Sequence, residues 1–190
     1  MIKTDTNEAR WEVIDSEYLF RRPWLTVRRD SLRLPDGRVN PEFYVLEYPD
    51  WINVIAVTRN GMIVMERQFR PGLGETRYEI PAGVIEEGET PLEAARRELA
   101  EETGYGGGRW QTLCTLSGNP STTSNLTHCF LALDVGPVAN RHLDATEDLE
   151  VHLLTHDEVL SLLVGDDIRQ SLMAAPLWRY FYMQRNIPTP

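Results

Sequence analysis

The chain has 190 residues, 42% of them hydrophobic and 25% charged. That is the balance of an ordinary globular protein, which excludes a fibrous repeat or a disordered tail and allows one domain with a small appendage. Nineteen basic against 29 acidic residues leave a net charge of −10, so nucleic acid, itself an anion, is not an expected partner.

The opening MIKTDTNEAR carries no apolar core of a secretory signal. The longest apolar stretch, Trp51 to Val57, is interrupted by Asn53 and is far shorter than the roughly 20 residues of a membrane span. Cys114 and Cys129 form no CxxC pair and read as small buried hydrophobes in a reducing compartment. The expected location is cytoplasmic, with no membrane partner.

The first fifty residues alternate as WEVIDSEYLF, WLTVRRDSLRL and FYVLEY, with Pro35-Asp36-Gly37 between the last two. They predict a small antiparallel meander. Pro49-Asp50 marks a boundary, dividing the chain into residues 1–48 and 49–190. Beyond it, INVIAVT and MIVMERQF predict a hairpin turning at Asn60-Gly61. Thr90-Pro91-Leu92-Glu93 combines an N-cap, a proline at the first helical position and a capping-box glutamate, and Gly104 supplies the stop. WQTLCTLS, HCFLALDV and LEVHLLT predict further strands. Thr155-His156-Asp157-Glu158 opens a short helix, and a third runs from Asp167 to about Met183 with Pro176 inside it. The fold expected is α+β: a mixed sheet flanked by helices, preceded by an antiparallel β segment.

Seven glutamates crowd the middle of this pattern: Glu86, Glu87, Glu89, Glu93, Glu98, Glu101 and Glu102. On the Thr90 helix Glu98, Glu101 and Glu102 stand at i, i+3 and i+4, an arc of about 100°. Leu92, Ala95 and Leu99 form the neighbouring stripe that must face the sheet. The three carboxylates therefore lie beside the buried face, where they repel one another unless a cation intervenes. Oxygen-only donors suit a hard ion, Mg²⁺ or Mn²⁺. Arg97, one turn before Glu101, can pair with it. The competing reading is a solvated amphipathic helix with no metal.

Context favours the cation. Gly83, Glu89, Arg97-Glu98-Leu99, Glu101-Glu102 and Gly104-Tyr105 stand at the spacing of the Nudix box, and the chain resembles the Nudix hydrolases, most of all their ADP-ribose pyrophosphatase subfamily. The box covers residues 83–105, and the looser sequence of sheet, box helix, sheet and closing helix covers about residues 50–185. The resemblance implies a Nudix-type α/β/α sandwich and hydrolysis of a nucleoside diphosphate linked to another moiety. It implies Ala82 (through its carbonyl), Glu98, Glu101 and Glu102 as ligands of Mg²⁺, with Arg97 and Glu89 orienting helix and loop. A late glutamate, Glu147, matches a further metal ligand or base. Because Ala145 stands where another acid is usual, the base remains open among Glu147, Asp144 and Asp148.

The approach to the box, ERQFRPG then YEIPAG, resembles that of the ADP-ribose enzymes. It implies Arg70 on the substrate diphosphate, with Glu79 in the same segment. Pro120, sixteen residues after Gly104, has the placement that marks these members. Ser121 and Asn125 depart from their pattern, which keeps GDP-mannose and ADP-glucose as alternative substrates. Phe20, Trp24 and Trp51 are candidates to stack on a base, Trp24 being assigned to the substrate. PWLTVRRDSLRLPDG resembles the swapped segment of a homodimer. A nucleotide-sensing Nudix module without catalysis is the remaining alternative, and the intact set of box glutamates weighs against it.

Overall fold

A computed structural model describes residues 10–22, 25–138, 141–143 and 148–186. The chain divides into two compact units, Met1–Tyr48 with Asn119–Asn125, and Pro49–Gly118 with Leu126–Pro190.

The first unit is a three-stranded antiparallel sheet: β1 (Glu12–Arg22), β2 (Leu25–Arg33) and β3 (Val39–Glu47), in that order. Its β2–β3 turn uses Gly37 at φ 87°, the left-handed region where glycine is unstrained. β3 begins four residues before Phe43, where sequence pattern placed it, and so takes in Pro41. Proline is tolerated there because β3 is the edge of the three-stranded sheet, and the segment that pairs with its outer side does so only at its far end, at Leu46. Residues 119–125 dock on its end, with the Leu46 N–H on the Thr122 carbonyl at 2.7 Å and the Ser124 N–H on that of Leu46 at 3.2 Å. Every residue of β1 is exposed, including Val13, Ile14, Tyr18, Leu19 and Phe20.

The second unit is built on β4 (Trp51–Thr58), β5 (Ile63–Arg70), β6 (Glu75–Glu79), β7 (Ala82–Val84), α1 (Pro91–Thr103), β8 (Tyr105–Gly106), β9 (Arg109–Leu116), β10 (Thr127–Pro137), β11 (Leu149–Leu154), α2 (His156–Val164) and α3 (Ser171–Asn186). The main path of its sheet is β11-β5-β4-β10-β8, with β6 on β5, β7 on β4 and β9 on β10. β4 and β10 are parallel; the other pairings are antiparallel. Both faces of β4 are covered, which is why INVIAVT is continuously apolar apart from Asn53. Ile52, Val54 and Ala56 pack with Ala94, Ala95 and Leu99 of α1. Ile55 and Val57 pack on the opposite face with Val159 and Leu163 of α2 and Leu177 and Tyr180 of α3. The result is the expected helix–sheet–helix sandwich.

Two details position the site. β5 pairs with β4 only at Ile63-Val64, whereas Trp51–Asn53 of β4 pair with β7 instead. Two strands thus share one stretch of edge, and the sheet splays between β5–β6 and β7, under α1. Second, Pro176 lies inside α3 and has no N–H for the Leu172 carbonyl. The buried Asn53 amide donates to that carbonyl at 2.7 Å, so the polar residue in an apolar strand answers the proline in the helix. α3 starts at Ser171 rather than at Asp167.

Candidate active site

The box helix is set by its ends. Thr90 Oγ1 accepts the Glu93 N–H, and Glu93 accepts the Thr90 N–H at 2.8 Å, a complete capping box. Gly104 closes the helix at φ 77°, its N–H on the Ala100 carbonyl. These caps fix which residues face the splayed sheet: Ala94, Ala95, Leu99 and Glu102 are buried, and Leu92 is half-buried.

Arg97 ties helix and loop together. Its guanidinium donates to both oxygens of Glu89 (2.7 and 2.8 Å), to the Val84 carbonyl (3.0 Å), to Glu98 (2.9 Å) and to Glu101 (3.2 Å). That fork holds the Glu89 carboxyl down at about 2.

The glutamates differ in setting. Glu102 is buried, and its Oε2 accepts the Ala82 N–H at 3.1 Å. Glu98, 13% exposed in its side chain, lies against Gly83, where an added Cβ would overlap its carboxyl. Glu101 is more open, at 44%. Glu98 and Glu102 thus converge on the backbone of Ala82-Gly83. Among the described residues no three His, Cys, Asp or Glu side chains already surround one point.

Beneath Glu102, where the sheet splays, sit two more carboxylates. Glu79 is 3% exposed and accepts three hydrogen bonds from Arg70, at 2.6, 2.9 and 3.1 Å. Glu66, its cross-strand partner, is fully buried. Burial, with the facing charge of Glu79, pushes Glu66 up to about 8. The Glu66 and Glu102 carboxyls interact directly, although no donor reaches either oxygen of Glu66 among the described residues. Arg141 donates to the Glu102 carbonyl (2.7 Å) and the Leu149 carbonyl (2.8 Å). A cavity of about 700 Å³ adjoins this place, lined by Trp51, Asn53, Arg70, Ala82, Gly83 and Leu172 among others.

Of the residues singled out by sequence, then, Glu98, Glu101, Glu102, Ala82 and Arg97 come together, and Arg70 and Glu79 pair beside them. Trp51 lines the cavity, whereas Phe20 is an exposed residue of β1 and Pro120 belongs to the 119–125 segment of the first unit. Trp24, Asp144 and Glu147 lie outside the described residues, and Asp148 is exposed just before β11. Sequence reading assigned no role to Glu66. Its signal is the strand period: Val64 faces α1, so Glu66, two residues on, faces the same way.

The donor set suits a divalent cation. It is all oxygen, it carries several carboxylates, and it includes a buried one that no donor among the described residues meets. The comparisons agree with this chemistry. The NUDIX domain model matches residues 49–175, and the model of the nucleoside diphosphate sugar hydrolase N-terminal domain matches residues 11–46. The chain therefore belongs to the Nudix family, as a hydrolase of nucleoside diphosphate derivatives, a family that uses divalent cations. It is 32% identical to the ADP-ribose pyrophosphatase of Bacillus subtilis over 83% of this chain and 85% of that one. It is 33% identical to the ADP-ribose pyrophosphatase of Mycobacterium tuberculosis over 73% and 68%. Its fold matches the crystal structure of an ADP compounds hydrolase with a TM-score of 0.82 at 22% identity, covering 93% of this chain and 95% of that one.

Proposed function

We propose that this chain is a Mg²⁺-dependent ADP-ribose pyrophosphatase that yields AMP and ribose 5-phosphate. The observation that carries the reading is the seating of Glu98 and Glu102 on the Ala82-Gly83 backbone, beside a cavity that also contains Arg70. The ADP-ribose pyrophosphatases among its relatives support the choice of substrate.

In this reading Ala82, Glu98, Glu101, Glu102 and Glu147 hold the cation, for which Mn²⁺ can substitute. When bound, Mg²⁺ neutralises the diphosphate and lowers the pKa of a bound water. Glu147 takes the proton of the water whose oxygen attacks phosphorus, and the bridging P–O bond breaks with its electron pair on the departing phosphate. Asp144 and Asp148 are the alternative bases. Arg97 keeps Glu98 and Glu101 in register with the loop. Glu79 aims the Arg70 fork, which binds the diphosphate, while Trp24 stacks on the base and Pro120 shapes the substrate loop. One finding favours a second reading, a nucleotide-sugar pyrophosphatase acting on GDP-mannose or ADP-glucose: the match of residues 11–46 to a sugar-hydrolase N-terminal domain.

Turnover of ADP-ribose, GDP-mannose and ADP-glucose with Mg²⁺ tests both, ADP-ribose being expected to give the highest kcat/KM. In the same assay Arg70→Ala should raise KM, losing about 1.5–3 kcal/mol of charge-assisted binding, with a smaller effect on kcat. An unchanged KM would remove Arg70 from the substrate. Glu79→Gln combined with Arg70→Ala keeps the comparison fair, because Arg70→Ala alone leaves Glu79 buried without its partner.

The proposal includes a homodimer formed through residues 1–48. A three-stranded sheet is marginal alone, and the exposed apolar side chains of β1 call for a second copy of the chain. Sedimentation should give twice the chain mass for the full protein. A truncation lacking residues 1–48 that is soluble, monomeric and fully active would contradict the dimer's role.

A further inference from the structure

Three carboxylates are buried where β5 and β6 pass under the end of α1: Glu66, Glu79 and Glu102. Two have protein donors. Glu79 takes the Arg70 fork, and Glu102 takes the Ala82 N–H. Glu66 has none: both its oxygens are inaccessible and unmet by any donor among the described residues. The two nearby cations are committed elsewhere, Arg70 to Glu79 and Arg141 to the carbonyls of Glu102 and Leu149.

A buried polar group without a partner is costly, and an unpaired carboxylate more so. Val64, two residues earlier on the same face, sits in the apolar cluster under α1, whereas Glu66 faces Glu79, Glu102, Arg70 and Arg141. What distinguishes Glu66 is that its carboxyl meets that of Glu102. When both are ionised they offer each other only acceptors, so the contact needs either a proton kept on Glu66 or a cation between them.

We propose that Glu66 is an additional carboxylate of the cation site, reaching from β5 to the divalent ion that Glu98 and Glu102 approach from α1. The box would then be extended by a residue from the sheet beneath it, and the ion would neutralise the buried Glu66–Glu102 pair. This rests on the cation reading of Glu98 and Glu102, so the test must separate the two. A rival arrangement, a hydrogen bond holding Glu102 in place, would survive in Glu66→Gln, whose amide can donate to Glu102.

The experiment is Mn²⁺ binding without substrate, followed by the electron paramagnetic resonance signal of free Mn²⁺, in wild type, Glu66→Gln, Glu66→Met and Glu102→Gln. Melting curves with and without Mn²⁺ accompany it. Without metal, Glu66→Gln and Glu66→Met should melt at or above wild type, since a buried carboxyl that no donor among the described residues meets is gone. Both should bind Mn²⁺ more weakly by on the order of tenfold, with a smaller rise in Tm on adding Mn²⁺. Wild-type Mn²⁺ affinity in Glu66→Gln and Glu66→Met, with affinity lost in Glu102→Gln, would overturn this proposal and leave the cation reading standing. Wild-type affinity in Glu102→Gln as well would overturn the cation reading itself. If Glu66→Gln does not fold, Glu66→Met carries the comparison alone. Failure of both to fold would assign Glu66 to the fold and end the proposal.

Discussion

Glu102→Gln should leave a folded protein with almost no turnover. The amide oxygen of glutamine can still accept the Ala82 N–H, now bonded to Glu102 at 3.1 Å, so the helix stays on the strand. One negative charge leaves a buried place that also holds Glu66 and Glu79. Relief of like-charge repulsion should raise stability without metal by about 0.3–1 kcal/mol. A carboxylate that holds the cation contributes several kcal/mol to the transition state, so kcat should fall on the order of 10³-fold or more. Mg²⁺ should raise the Tm of wild type by mass action and that of the variant much less. A solvated helix predicts the reverse: unchanged activity, and a melting temperature indifferent to Mg²⁺.

Gly83→Ala should have the second-largest effect, for a different reason. Gly83 does not occupy the left-handed region, so its backbone conformation admits alanine. Its constraint is the Glu98 carboxyl, which lies where the new Cβ would be. The end of a glutamate side chain can swing away at small cost, so the fold should survive with a Tm close to wild type. The carboxylate would be displaced from the Ala82-Gly83 backbone, and a misplacement of about an ångström costs on the order of 10²-fold in rate. Gly136→Ala is the control, since nothing lies within 4 Å of a Cβ there and its φ is not left-handed. Equal activity in Gly83→Ala and wild type would show that Glu98 has no catalytic need of that position.

Much of this was legible in the chain itself, and the parts that were not have physical causes. The caps of α1 and α2 were readable because capping boxes are local: each bonds residues three positions apart. The central strands were readable because burial on both faces leaves a continuous apolar run. β6, β7 and β8 were not. GETRYE is too charged to look like a strand, and β7 and β8 have only three and two residues, whose pairing is decided by neighbours distant in sequence. The same holds at the site. Spacing placed Glu98, Glu101 and Glu102 on one arc. It could not show that Glu102 is buried while Glu101 is half open, because that depends on where β5 leaves β4. Nor could it connect Asn53 with Pro176, 123 positions apart, since a helix carbonyl freed by proline can be met from any direction. Arg70 was legible as a cation near the box, but its pairing with Glu79 was not, because the register sets Glu79 across from Glu66 and only the long Arg70 side chain brings the two together.

The most direct measurement is the product pattern of ADP-ribose incubated with wild type and Glu102→Gln, each with Mg²⁺ and again after chelation, followed by phosphorus NMR. AMP and ribose 5-phosphate should form in equal amounts with wild type and Mg²⁺, and in neither chelated sample nor Glu102→Gln. Product formation by wild type after chelation, or by Glu102→Gln at the wild-type rate, would contradict a cation held at Glu98 and Glu102 and the hydrolysis built on it.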